Sequence, residues 1–287
     1  PAVTPDGRRL TLLANIGSAA EAATALELGA EGVGLFRTEF LFLGRPDCPG
    51  EEEQFAAYRQ IAQTLGGRPA AIRTLDAGGD KPLSCLSLPP QPNPALGCRG
   101  IRLSLLRPEL FRVQLRAILR AAAFGPLSIL LPMVTTPEEV RQAKAILAQC
   151  QEELERNGLP FGSAPVGVMI ETPAAALTAD ALAEESAFFS LGTNDLTQYT
   201  LAIDRQNPRL EPFYDPHHPA VLRMIQAAVD AGHRHGCWVG ICGELGADLS
   251  MTETFLRMGV DELSVSPAAV LPLRKRIRSL DLSLPKE

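Results

Sequence analysis

The sequence predicts one (β/α)₈ barrel spanning residues 1–287. Three observations carry that reading. Eight short apolar runs alternate with longer amphipathic ones. The chain, at 287 residues, has the size of a single barrel. Hydrogen-bonding and charged residues collect directly behind the apolar runs, where barrel enzymes keep their chemistry. An open, doubly wound sheet shares the alternation and is the structural rival.

TLLAN at 11–15 reads as the first strand. Ser18-Ala-Ala-Glu21 has capping-box spacing, and its helix runs to about Leu28, where Gly29 stops it. GVGLF at 32–36 is a strand, and EEEQFAAYRQIAQTL at 51–65 a helix ended by Gly66-Gly67. AAIRTL at 70–75 is the third strand, followed by a long polar loop and a helix from Pro108 to about Ala123. LSILLP at 127–132 is the fourth. Thr136-Pro-Glu-Glu139 is a second capping box, with proline at the first helical position. Behind it Val140, Ala143, Leu147, Cys150 and Leu154 keep helical spacing. VGVMI at 166–170 is a strand with a helix at 173–184, and AFFSL at 187–191 is the sixth strand. A helix at about 219–235 leads to CWVGI at 237–241, and a helix at 248–258 to ELSVS at 262–266. A basic helix closes the chain at about Ser279. No linker, repeat or low-complexity segment interrupts the series.

A hydrophobic content of 46% with 21% charged residues fits a soluble protein with a sizeable core. The net charge of −6 leaves no general basic surface for nucleic acid. No apolar stretch has the length of a membrane span, and PAVTPDGRRL is unlike a signal peptide, so a cytoplasmic location is expected. The chain does not begin with methionine, which suggests a fragment or a processed product. Cysteines at 48, 85, 98, 150, 237 and 242 form no C-x-x-C pair, and reduced thiols without structural zinc are the expectation.

Behind the second strand lie Arg37 and Glu39, and behind the third Arg73, Asp76 and AGGDK. The following loop carries Arg99 and Arg102. Glu171 ends the fifth strand, Asn194 and Asp195 follow the sixth, and Cys242, Gly243 and Glu244 follow the seventh. In a barrel all of these share the carboxyl-end rim. Glu171 and Asp195 on adjacent strands suit Mg²⁺, a hard cation that takes one or two protein carboxylates; the alternative is that each pairs with an arginine. Arg37, Arg73 and Arg205, on three different loops, suit a small ligand with several negative charges. Gathering them locally overcomes the net negative charge.

GVGLFRTEFLF, IRTLDAGGDKP, NPALGCRGIR, GVMIETPAA, FFSLGTNDLTQYTLAIDRQN and GICGELGAD, in this order, closely resemble the phosphoenolpyruvate-binding domain of Enzyme I. Enzyme I is the phosphoenolpyruvate–protein phosphotransferase of the bacterial sugar phosphotransferase system. The resemblance runs from about Leu10 to Ser279 and implies a (β/α)₈ barrel. It implies that Arg37, Arg73, Arg205 and the Asn194–Asp195 pair hold phosphoenolpyruvate, with Arg99 as a further phosphate contact. Glu171 and Asp195 would hold Mg²⁺, and Cys242 would donate a proton to the enolate carbon. Further implications are a homodimer and a histidine acceptor on a separate N-terminal domain, which passes phosphate to a small phosphocarrier protein. No stretch here matches that acceptor motif; His217, His218, His233 and His235 read as loop and helix-end residues. The chain is thus expected to be a C-terminal portion that binds substrate and does not phosphorylate the carrier alone.

Pyruvate phosphate dikinase and phosphoenolpyruvate synthase share similar motifs and remain alternatives, although TQYTLAIDRQN reads more like Enzyme I. A magnesium-dependent carbon–carbon lyase acting on pyruvate-like acids also suits GVMIETP, but has no evident need for three arginines beside a thiol.

Overall fold

Each apolar run forms a strand short enough for one barrel wall, and burial on both faces explains why the runs are almost unbroken. In the computed structural model, which describes residues 1–78, 81, 83–86 and 88–283, nine strands form one sheet. They are β1 (Ala2–Val3), β2 (Arg9–Ile16), β3 (Val33–Arg37), β4 (Ala70–Arg73) and β5 (Leu127–Leu131). The series continues with β6 (Val166–Ile170), β7 (Phe188–Leu191), β8 (Trp238–Ile241) and β9 (Glu262–Val265). From β2 to β9 every neighbouring pair is parallel. β2 also pairs with β9, Thr11 beside Glu262 and Ala14 beside Val265, and this closes a (β/α)₈ barrel. The short β1 folds back antiparallel on β2, a pairing with no strong sequence signal.

Two apolar layers hold the closed sheet. Outward chains such as Leu12, Ile16, Phe36, Ile72, Ile129, Val168, Phe189 and Val239 pack under the helices. Phe36 is fully buried and meets Tyr58 edge-on at 6.0 Å, so Phe36→Ala removes about 3–5 kcal/mol of packing. Inward chains form a smaller plug: Leu35, Ala71, Leu130, Met169, Phe188 and Cys242. A third cluster, including Phe42, Leu75, Leu83 and Leu103, sits beneath the long loop behind β4.

Most predicted helices form, with local differences. The Thr136 capping box is complete: its hydroxyl accepts from the Glu139 N–H, and the Glu139 carboxylate accepts from the Thr136 N–H at 3.0 Å. The predicted box at Ser18 is not; the Ser18 hydroxyl donates to the Glu21 side chain at 2.9 Å, and the helix spans Ala20–Glu27. The helix expected at 173–184 breaks into Pro173–Leu177 and Ala179–Ala183, where the Thr178 hydroxyl donates back to the Ala174 carbonyl. Two helices were not predicted, Ile101–Leu106 and Thr193–Leu201. Gly79 and Asp80 of the AGGDK segment, and Pro82 beside it, lie outside the described residues.

The expectation of reduced thiols throughout is corrected at one place. Cys48 and Cys85 form a disulfide, with Cα atoms 5.1 Å apart across 37 residues of sequence. It ties the segment behind β3 to the loop behind β4, a proximity created by folding with no spacing motif to announce it. Cys98, Cys150, Cys237 and Cys242 are free.

Candidate active site

A cavity of about 660 Å³ opens at the carboxyl ends of the strands. The strand ends aim side chains into it: Arg37 closes β3, Arg73 closes β4, and Glu171 and Cys242 follow β6 and β8 directly. Asn194, Asp195 and Arg205 come from the region behind β7 and complete the wall. Asn194 and Asp195 occupy the first turn of the Thr193–Leu201 helix, so this chemistry is carried by a helix start. The structure thus brings six of the predicted ligand-binding side chains, and Cys242, around one space.

The arginines differ in what holds them. Arg37 is exposed, and its side chain makes no hydrogen bond or ion pair among the described residues. Arg73 is buried, with Nη2 3.2 Å from Glu39 Oε1 and Nη1 3.3 Å from Asp76 Oδ2. Among the described residues its Nε has no partner, which leaves a donor of a buried cation unanswered. Arg205 reaches Asp195 Oδ2 at 3.6 Å, and its N–H donates to the Gln198 side chain at 3.1 Å. Arg99 stands apart. It is fully buried behind the cavity wall, where Nε and Nη2 donate to Asp76 and the two terminal nitrogens to Asp195.

Asp76 is the hub behind this wall, since Arg73, Arg99 and Lys81 all reach it. Burial alone pushes an acid up, but the cations of Arg73, Lys81 and Arg99 overcome that and hold the Asp76 carboxyl well below the usual range. Glu171 lies on the opposite side of this balance. Burial first, and then the charges of Asp195 and Asp76, hold its carboxyl well above the usual range. Its Oε1 accepts from the Met133 N–H at 2.6 Å. Met133 takes the left-handed conformation at φ 60° to offer that donor, local strain of the kind found at functional sites. Gly192 makes room for the other oxygen, because a Cβ there would stand 2.7 Å from Glu171 Oε2.

That excess of negative charge bears on the metal prediction. Among the described residues no cluster of three or more histidine, cysteine or acidic side chains is poised to hold an ion. Two carboxylates facing one cavity still match a cation that takes substrate oxygens and waters for its other positions. The glycine at 192 leaves Glu171 Oε2 clear on the side where a Cβ would crowd it.

Cys242 is 4% exposed, and its thiol is directed at the Leu191 carbonyl, 3.5 Å away. Burial pushes the thiol up to about 11, so it holds its proton through the neutral range. Its carbonyl accepts from Asn15 Nδ2 at 2.9 Å, and Asn15 in turn accepts from Ser264 at 2.6 Å. Asn15 was missed in the sequence; its signal is an amide in an otherwise apolar strand. Tyr214 was missed as well, and its hydroxyl donates to the Asn194 carbonyl at 3.2 Å. None of the four histidines lines the cavity: His217 meets Asp248, His233 meets Asp261, His235 meets Asp180, and His218 caps a helix.

A family model described as "PEP-utilising enzyme, PEP-binding domain" matches residues 1–282. The chain belongs to this family. Curated relatives of this PEP-binding domain include phosphoenolpyruvate-protein phosphotransferases from Geobacillus stearothermophilus and Haemophilus influenzae. The first is 50% identical over 279 residues, covering 97% of this chain and 48% of that protein. The second is 49% identical over 282 residues, covering 98% and 49%. The PEP-binding-domain chain therefore spans about half the length of these relatives. Among solved structures, a citrate lyase from Burkholderia xenovorans superposes with a TM-score of 0.62 at 18% identity, covering 96% of this chain and 78% of that one. An HpcH/HpaI aldolase/citrate lyase family protein from Burkholderia cenocepacia gives 0.56 at 15%, covering 94% and 93%. These two likenesses reflect the fold alone.

Proposed function

We propose that this barrel binds phosphoenolpyruvate with Mg²⁺ and forms the site from which the phosphoryl group passes to a histidine on a separate N-terminal domain. The observation that carries this reading is the set of Arg37, Arg73 and Arg205 around one cavity with two carboxylates and a protonated thiol. Arg37, whose side chain has no partner among the described residues, is available to the phosphate. Arg73 and the amide of Asn194, which both line the cavity, would orient the ligand's remaining oxygens. Glu171 and Asp195 would hold the cation, which when bound supplies charge neutralisation to the phosphate and enol oxygens. Arg99 acts indirectly on the ligand, donating to the Asp195 carboxylate and tying it to Asp76.

In the transfer the bond from phosphorus to the enol oxygen breaks and one from phosphorus to an imidazole nitrogen forms. Positioning and charge balance matter most in such a loose transition state. The enolate then takes the Cys242 proton at its terminal carbon, giving pyruvate, and the thiolate recovers a proton from water. No histidine of this chain lines the cavity, so we propose that the carrier protein is not phosphorylated by this chain alone. Partner and place follow from the same reading: a single barrel unit within a longer protein of the sugar phosphotransferase system, homodimeric and cytoplasmic. Among the described residues no helix is long and apolar enough to cross a membrane.

Calorimetric titration with phosphoenolpyruvate, with and without Mg²⁺, tests the reading. Metal-dependent binding is expected, and Arg73→Ala should weaken it by at least about 2 kcal/mol, the scale of a charged hydrogen-bond partner. Equal binding by both proteins rules out the arginine clamp.

A further inference from the structure

At the amino ends of the strands, opposite the arginines, a second cavity of about 290 Å³ enters the barrel. Thr11, Leu13, Ser128, Trp238 and Glu262 line it. Glu262 is 8% exposed, and among the described residues its carboxyl has no hydrogen bond or ion pair. The fold clears space for this acid on two other strands. A Cβ on Gly34 would stand 2.8 Å from Glu262 Oε1, and one on Gly240 would stand 3.1 Å from the same oxygen. Beside it, Trp238 stacks on Phe188 with centroids 4.4 Å and planes 2° apart. Phe188 covers one face of the indole, and the rest of the ring lines the opening.

Glu262 is buried as a residue, yet its carboxyl oxygens are not fully occluded, so a guest in the cavity can meet them directly. Asp261, the other acid at this opening, is already committed. Its Oδ2 accepts from the Val239 N–H at 2.9 Å and faces His233 Nε2 at 2.8 Å, while Oδ1 lies 3.7 Å from Arg8. None of the residues lining the cavity is a lysine, arginine or histidine. The one uncommitted charge-bearing group is therefore an acid set among Leu13, Val33, Ala71 and an indole ring. A divalent metal needs more oxygen ligands than one carboxyl supplies. The ionised acid repels an anion, and a neutral apolar guest offers the carboxyl no partner. An ammonium ion with an apolar body answers both, since its charge meets the carboxylate and the ring while its carbons meet the aliphatic wall.

We propose that the amino-end cavity is a binding site for a small organic ammonium ion, held by the Glu262 carboxylate and the face of Trp238. Burial first, and then the neighbouring Asp261, push the Glu262 carboxyl up to about 8. The empty site is accordingly protonated near neutrality, and an arriving cation displaces that proton. The charged groups around Glu262 are Asp261 and, through it, Arg8 and His233. The site is remote from the upper cavity, so it stands or falls independently of the phosphoryl-transfer reading.

Trp238 is the only tryptophan in the chain, so intrinsic fluorescence reports this cavity selectively. The whole chain is titrated with tetramethylammonium chloride at pH 6.5 and 8.5, with sodium chloride and the neutral isostere tert-butanol as controls. The expected result is a saturable change with tetramethylammonium only, about tenfold tighter at the higher pH as the acid ionises. Glu262→Gln should weaken binding at least about tenfold and abolish its pH dependence, the consequence of removing the one counter-charge. The pH pair is repeated on His233→Gln, where the same tightening must persist if Glu262 is its source. No saturable change, an equal response to either control, or unchanged binding by Glu262→Gln overturns the proposal. Should the Gln variant fail to fold, equal affinity of the native chain at the two pH values overturns it as well.

Discussion

Arg99 grips Asp195 with a two-pronged fork: Nη1 lies 3.2 Å from Oδ1 and Nη2 3.3 Å from Oδ2, and both side chains are buried. The same guanidinium holds Asp76 from its other edge, with Nε 3.1 Å from Oδ1 and Nη2 3.0 Å from Oδ2. An acid that follows β7 is thereby fixed to the loop that follows β4. Buried pairs of this kind are costly to break because the surviving charge has no water to turn to.

Arg99→Ala is therefore expected to lower stability by about 3–5 kcal/mol, read by urea unfolding. Arg99→Lys keeps the charge and loses the planar fork. It should retain the fold yet weaken metal-dependent phosphoenolpyruvate binding about tenfold, as Asp195 loses its orientation. Unaltered binding by the lysine variant would show that Asp195 needs no brace.

Cys242 offers a separable test of proton delivery. Pyruvate enolised in the cavity exchanges its methyl protons with solvent, and in deuterium oxide this is visible by proton NMR without any acceptor domain. Cys242→Ala is expected to reduce that exchange by about 10²-fold or more, the usual scale for a general acid–base group, with phosphoenolpyruvate affinity kept within about threefold. Alkylation of the native thiol should be slow at pH 7 and quicken as pH rises toward about 11. Undiminished exchange in the variant assigns the proton to another donor.

Glu262 links the barrel floor to the pH dependence of stability. Its folded carboxyl titrates at about 8, far above the value of an unfolded chain. Between about pH 4.3 and 8 the unfolded chain has released this proton and the folded chain retains it, so rising pH favours unfolding until both forms are ionised. Glu262→Gln removes that contribution. Its stability relative to the native chain should improve by a few kcal/mol, as an order of magnitude, between pH 5 and pH 8. Parallel stability curves for the two proteins contradict the assignment.

The Cys48–Cys85 bond encloses a segment separated by 37 residues of sequence. By the loop-closure relation its removal costs about 4 kcal/mol. Thermal unfolding of the Cys48→Ser, Cys85→Ser double variant, compared with the native chain under non-reducing conditions, should show a loss of that order. Peptide mapping without reductant should recover the two segments joined. Two free thiols in that map contradict the bond.

Much of this architecture was legible in the sequence because most barrel strands are largely apolar runs, and Arg37, Arg73, Glu171 and Cys242 stand at the end of one or directly behind it. The Thr193–Leu201 helix escaped notice for a physical reason: Thr193, Asp195, Thr197 and Gln198 are buried, so polar groups occupy positions where an amphipathic pattern expects apolar ones. The break at Thr178 depends on a hydroxyl returning to a carbonyl one turn back, which composition does not display. Arg99 is the sharper case. A guanidinium on a rim loop looks the same in sequence whether it meets a ligand or turns inward to two acids, and only packing separates Arg99 from Arg37. Cys48 and Cys85 were hidden because their meeting is a product of tertiary structure.

Thr11 lies beside Glu262, and the barrel is sealed only by that seam. During synthesis from the amino terminus, β2 must wait with one flank unsatisfied until residues 262–265 have emerged. Such late, long-range sealing makes folding slow and leaves strand edges open to neighbouring molecules in the meantime. Any product cut short of residues 262–265 keeps two raw edges and half a floor, and it is expected to aggregate instead of persisting as a smaller working unit.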